Sequence, residues 1–376
     1  MIVKRILMAL TAALCLAGCT PSTAPHPDTP PQSEPPQSEA PQAAPEDLYW
    51  DSLTPRQQAA SVLMLNYPGS DAAAIDAFLQ EVRPAGIILM GDGVPADEAT
   101  LAQSTALWQS HTDLPYLIAI DQEGGVVSRL DGDPAPSAAQ LRDGDPLAVE
   151  EAFAARAEYL QSLGLNTNFG VIADFTADPD FFIYPRVLGT TPQVTSDAVA
   201  AAVEGESGHV LSVIKHFPGH GVAAADSHSD IPVSQLSYEM WASSVALPFE
   251  SGIDAGVDMV MVGHLLFPDI APEPASLSPR WHQILREDLG FEGVIVTDDM
   301  KMLRDSEGTD AVDNAIASLN AGSTLILDIG RPDMDAVSFA NYLIDGIVAA
   351  LESGDLAPET LRDASLRLFE VRQGLQ

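Results

Sequence analysis

Eight short apolar runs recur along this chain, and each is followed by a segment whose apolar residues repeat with helical period. The runs cover 62–65, 86–90, 116–120, 168–173, 210–214, 259–263, 294–297 and 324–327. Apolar character that is continuous rather than alternating means burial on both faces, the property of parallel strands covered by helices. Helical stretches lie between them, among them 147–163, 238–255, 278–289 and 310–321. Eight strand-then-helix units in 376 residues predict an α/β fold, a single (β/α)8 TIM-type barrel, with an open doubly wound sheet as the alternative.

Seven of the eight runs end directly on polar residues: Asn66, Asp121, Asp174, Lys215 with His216, His264, Asp298 with Asp299, and Asp328. One polar residue after a strand is only a turn signal. In a barrel these ends converge on one face, where such folds keep their catalytic groups.

The densest stretch is IKHFPGHGVAAADSHSD, residues 214–230, which places Lys215, His216, His220, Asp226 and His228 around a Pro-Gly turn. Active sites need such groups and cores avoid them, although any one of these His side chains also suits a purely structural place. His216 and His220 have the i, i+4 spacing of helical zinc ligands, but Pro218 and Gly219 between them preclude that helix, so no metal site is expected. Asp226 and His228 suit a carboxylate that orients an imidazole for general acid and base work. The Gly-Ala flank at 221–225 would let that pair move.

Asp121 opens DQEGGVVSRL, where Gly124 and Gly125 let the backbone turn closely under a ligand and Arg129 returns toward the carboxylate. A plain Gly-Gly turn is the other reading. Arg186, in YPRVLG, is on its own a loop arginine of the solvated kind. At GFEGVIVTDDM two adjacent carboxylates cannot point the same way. Asp299 suits a helix N-cap, which leaves Asp298 to face the barrel mouth; beside Lys215 or Arg186 it would stay ionised, as a nucleophile must.

Composition bounds the partners. With 54 Asp and Glu against 17 Lys and Arg the formal charge is −37, which argues against nucleic acid or anionic lipid headgroups as partners. Both cysteines fall within the first twenty residues, so the folded part has no disulfide framework and no Cys-based metal site. Lys4 and Arg5, the apolar run 6–16 and small residues before Cys19 read as an export signal, and LAGC resembles a bacterial lipoprotein box with Cys19 as the lipidated residue. The following Pro, Ser, Gln and Glu stretch, with PPQSE repeated at Pro30 and Pro35, reads as a solvated tether. The expected organisation is a signal peptide at 1–18, a disordered linker at 19–47 and the barrel at 48–376. Thr54 and Pro55 are expected to open its first helix. The expected location is outside the cell, lipid-anchored to the membrane's outer face.

The segments IDQEGG, IKHFPGHG followed by DSH, VMVGHLLFP, NFGVIADF and LREDLGFEGVIVTDDM together resemble the family 3 glycoside hydrolases of the β-N-acetylhexosaminidase type, over the whole folded part. The resemblance implies an enzyme that removes terminal β-linked N-acetylglucosamine from cell-wall or related glycans with retention of configuration. On this resemblance Asp298 matches the nucleophile that forms a covalent glycosyl-enzyme. His228 matches the acid/base, with Asp226 as its partner on a mobile loop. Asp121, Arg129, Arg186, Lys215 and His216 match positions that bind sugar hydroxyls. No cofactor and no metal are implied, the partner is an amino-sugar glycan, and a monomer is expected. Val126 and Thr324 stand where relatives commonly carry Arg and Asp, and Arg186 lies outside the usual RSFG context.

Other readings stay open at this point. They are a β-glucosidase or glycoside phosphorylase of the same family, a lipoprotein that binds amino sugars without cleaving them, and a barrel using Lys215 as a Schiff base.

Overall fold

The computed structural model describes residues 45–223 and 231–375. The strands are β1 (Leu63–Leu65), β2 (Gly86–Leu89), β3 (Leu117–Ile120), β4 (Thr167–Ile172), β5 (Leu211–Phe217), β6 (Met259–Val262), β7 (Val294–Thr297) and β8 (Ile326–Asp328). All pair in parallel, in the order β7-β6-β5-β4-β3-β2-β1-β8. A parallel bridge between Val296 and Leu325 joins the two ends. The ring is therefore a TIM-type barrel wrapped by helices, and each expected apolar run supplies one strand. Every strand residue is buried except the half-buried Leu211, which is why the runs are apolar without alternation.

Boundaries differ from expectation in informative places. The fifth strand does not stop at Ile214 but continues to Phe217, so Lys215 and His216 lie within it rather than after it. Its pairing with β6 shifts register between Ile214 and Phe217. Such irregularities re-aim side chains near functional sites. The expected helix at 238–255 is two, Tyr238–Ala242 and Leu247–Asp254. Pro248, at the start of the second, has no N–H to continue the first and would crowd the carbonyl four residues back. The stretch at 278–289 begins as the helix Pro279–Gln283 and widens into a π-helical turn over Ile284–Asp288.

Thr54 caps the helix Pro55–Ala60, in a reciprocal capping box with Gln57. It is the second helix rather than the first: Pro45–Ser52 precedes it, with Tyr49 stacked on Phe369 at 4.2 Å between ring centroids.

Packing behind β5 fixes the end of that strand. The Phe217 ring meets Trp241, Phe249 and Trp281 edge-on at 5.9, 5.4 and 5.6 Å between centroids, a favourable arrangement for aromatic quadrupoles. Trp241 also donates its indole N–H to the Pro218 carbonyl at 2.8 Å. The residues next to Lys215 and His216 are thus held from outside the barrel.

Candidate active site

The strand-end residues do converge. At the C-terminal face a pocket of about 190 Å3 is lined by Asp121, Arg129, Arg186, Lys215, His216 and Asp298, together with Glu123, which the sequence reading did not single out. A larger cavity of about 530 Å3 lies against Leu165, Val210 and Asp258, which precede β4, β5 and β6. It therefore sits at the opposite end of the barrel, away from these groups.

Glu123 is the hub of the charged cluster. Arg186 grips it with two hydrogen bonds of 2.8 Å, and the Lys215 ammonium lies 2.8 Å from it and 2.8 Å from Asp121. Arg129 completes the set, 3.6 Å from Asp121. Burial alone would raise the Glu123 carboxyl, but the Lys215 and Arg186 cations bring it down to about 2. Burial would likewise discharge Lys215, yet Asp121 and Glu123 raise its pKa above the ordinary value. A lysine held so firmly as the ammonium is a poor Schiff-base nucleophile, which needs a lowered pKa.

Hydrogen bonds define the state of His216. A guanidinium can only donate, so the 3.2 Å contact from Arg186 Nη2 makes His216 Nε2 the acceptor. Nδ1 then carries the proton and donates to Asp174 Oδ2 at 2.7 Å. The ring is neutral, in keeping with a pKa held well below normal by burial and by the Arg186 charge. Asp174 also accepts the backbone amides of His216 and His220. His220 is buried, and neither of its ring nitrogens has a partner among the described residues.

Asp298 directly follows β7 and receives the Asp299 amide on Oδ1 at 2.8 Å. Burial would raise this carboxyl. The imidazoles of His216 and His264, the Asp299 amide and the Lys215 ammonium outweigh burial and keep it below the usual carboxylate range. With both imidazoles uncharged, the amide and the ammonium persist at neutral pH.

Asp299 also borders the pocket, but its carboxylate is occupied in capping, as expected. It caps the helix Met300–Glu307 through the Lys301 amide and accepts the Ile329 amide at 3.1 Å. Its carbonyl accepts the Nε2 proton of His264 at 2.9 Å, while His264 Nδ1 accepts from the Ser276 hydroxyl at 2.7 Å. His264 is therefore a brace for the end of β7.

Arg186, on its own a solvated loop residue in sequence, is buried. Gly124 and Gly125 have φ of +82° and +78°, and a Cβ on Gly124 would lie 2.4 Å from Arg156 Nη2. The Gly pair is thus demanded by backbone conformation and by close packing. Asp226, His228 and Cys19 lie outside the described residues. Among the described residues no three His, Cys, Asp or Glu side chains are grouped to hold a metal ion, and no helix is long and apolar enough to cross a membrane.

Comparison with known proteins places this geometry in a family. Residues 57–371 match the glycosyl hydrolase family 3 N-terminal domain. The chain is 33% identical over 278 residues to a β-hexosaminidase of Stenotrophomonas maltophilia, across 71% of this chain and 82% of that one. It also superposes on a solved family 3 β-N-acetylglucosaminidase from a Paenibacillus species, with a TM-score of 0.79 and 32% identity over 86% of this chain. The match spans 63% of that protein's length. A solved β-N-acetylhexosaminidase from Beutenbergia cavernae gives a TM-score of 0.74 and 26% identity, covering 86% of this chain and 99% of its own. The chain belongs to glycosyl hydrolase family 3 and is a glycoside hydrolase.

Proposed function

We propose that this hydrolase is a retaining, exo-acting β-N-acetylglucosaminidase in which Asp298 attacks the anomeric carbon and forms a covalent glycosyl-enzyme. The observation that carries the reading is the Asp298 carboxyl, hydrogen-bonded to the Asp299 amide and set in the same small pocket as the Asp121, Lys215, Arg186 and His216 array. A nucleophile must be a carboxylate at working pH, and sugar hydroxyls call for a dense set of charged donors and acceptors. The pocket's size supports removal of one terminal residue. The likeness to a β-N-acetylglucosaminidase supports N-acetylglucosamine as that residue.

Retention needs a second group that protonates the leaving oxygen and then activates water. The resemblance of DSH to the family motif supports His228 in this role, with Asp226 as its partner. Upstream, the lipoprotein-type box supports an exported protein anchored through Cys19, which would meet cell-wall or related glycans there. Cys19→Ser should then release it from the membrane fraction.

The test of the reaction is turnover of an aryl β-N-acetylglucosaminide beside the matching β-glucoside, with the first-formed anomer read by NMR. The β anomer from the amino sugar is expected. A first-formed α anomer would remove the double-displacement mechanism, and preference for the glucoside would remove the substrate assignment.

A further inference from the structure

The loop that presents Asp121, Glu123 and Arg129 is held by a buried polar chain that reaches the outer helices. Gln122, fully buried, is its centre. Its Oε1 accepts the amides of Arg129 and Leu130 at 2.9 and 3.1 Å, and its Nε2 donates to Ser128 Oγ at 2.8 Å and Asp133 Oδ2 at 2.9 Å. The Gln122 amide donates to Asn168 Oδ1 at 3.1 Å, and Asn168 Nδ2 reaches back to the Gln122 carbonyl at 3.3 Å.

Asn168, on β4, has one further partner. Its Nδ2 donates to Glu206 Oε1 at 2.6 Å, on the helix Pro192–Glu206. Gly170 leaves room for this side chain, because a Cβ there would lie 2.3 Å from Asn168 Nδ2. Beneath the same loop Arg156 donates to Asp133 Oδ2 at 2.7 Å and to the Pro136 carbonyl at 2.9 Å. Glu206 Oε2 and Arg156 Nη1 are both buried with no partner among the described residues.

The geometry points to Glu206 as a positioning residue for substrate binding, acting through Asn168 and Gln122 on Asp121 and Arg129. This rests on the assignment of those two residues to the sugar site. Glu206 touches nothing in the pocket. What it does is fix Asn168, whose amide fixes the start of the loop.

Glu206 does so as the neutral acid. Burial raises its pKa to about 8; Asp258, from the turn before β6, adds to this, while the Asn168 bond and the Arg156 charge oppose it. Losing the proton would leave a buried carboxylate with an unpartnered oxygen, which is costly. Relief requires movement of Arg156 or Asn168 toward it, or entry of water. Each route disturbs the support of the loop.

Michaelis constants for an aryl β-N-acetylglucosaminide, measured well below each variant's melting temperature, test the inference. Asn168→Ala should raise KM by about fivefold to tenfold with kcat nearly unchanged, the signature of lost binding rather than lost chemistry. Glu206→Gln keeps an acceptor for Asn168 and cannot ionise. It should match the wild type at neutral pH and lack the rise in KM expected of the wild type above about pH 8. A lowered melting temperature with wild-type KM in Asn168→Ala, or an alkaline rise that survives in Glu206→Gln, overturns the proposal. Should Asn168→Ala fail to fold, the pH profile of Glu206→Gln decides alone. Asp121→Ala separates the two layers: unchanged KM in that variant would sink the site assignment itself.

Discussion

Arg186 and His216 share a hydrogen bond of 3.2 Å in which the guanidinium donates and the imidazole Nε2 accepts. That one contact settles the tautomer of the ring and ties a loop residue to β5. It also means that removing Arg186 has two effects, since Glu123 would be left buried beside only Lys215. Arg186→Ala should lower kcat/KM by about a hundredfold or more and destabilise the protein by about 3–5 kcal/mol, as for other buried pairs broken on one side. Arg186→Lys cannot reproduce the two-pronged grip and should recover only part of either loss. Denaturant titration with steady-state kinetics reads both. Wild-type values in Arg186→Ala would show the cluster to be idle.

Acid stability should depend on Glu123. Its folded pKa, about 2, lies below the ordinary 4.5. The sign follows: the unfolded chain takes up the proton first, so the contribution is complete above about pH 4.5 and is lost as pH falls toward 2. Glu123→Gln should flatten the loss of stability across that window and lower stability at neutral pH. An unchanged acid limb would contradict the ion-pair account.

Phe217 anchors β5 just beyond His216, with three aromatic rings against it. Phe217→Ala should cost about 3–5 kcal/mol in thermal or chemical unfolding. Activity should fall with it, because the strand end carries Lys215 and His216. A cost under about 1 kcal/mol would mean that the site does not depend on this packing.

The barrel is legible in the sequence because every strand is buried on both faces, so each run is apolar and short. The convergence of Asp121, Lys215, His216 and Asp298 is legible for a related reason: a strand end is where the chain emerges from the core. Glu123 is not legible, since an acid beside a Gly pair reads as a turn. Its role comes from Arg186, 63 residues away, folding onto it. Arg186 reads as solvated for the same reason, because its partner is remote. The signal that could have found Glu123 is the scarcity of cations: with 17 Lys and Arg in the chain, the two that are buried at the barrel mouth, Arg186 and Lys215, need buried carboxylates to match. Asp174 is legible as a strand end but not as the acceptor that orients His216. The helix break before Pro248 escapes a reading by apolar period, which runs 238–255 together, although that proline carries the signal.

His228, proposed as the acid/base on the resemblance of DSH to the family motif, carries a kinetic expectation. His228→Ala should slow substrates with poor leaving groups far more than activated aryl glycosides, since a group that departs readily needs little protonation. Equal losses for both would remove the leaving-group role.

The most direct measurement is the mass of the enzyme trapped with a fluorinated N-acetylglucosaminide that forms the glycosyl-enzyme quickly and releases it slowly. A one-sugar adduct on the peptide carrying Asp298, absent from Asp298→Ala, is the expected result. An adduct on another residue, or full turnover by Asp298→Ala, would contradict the account.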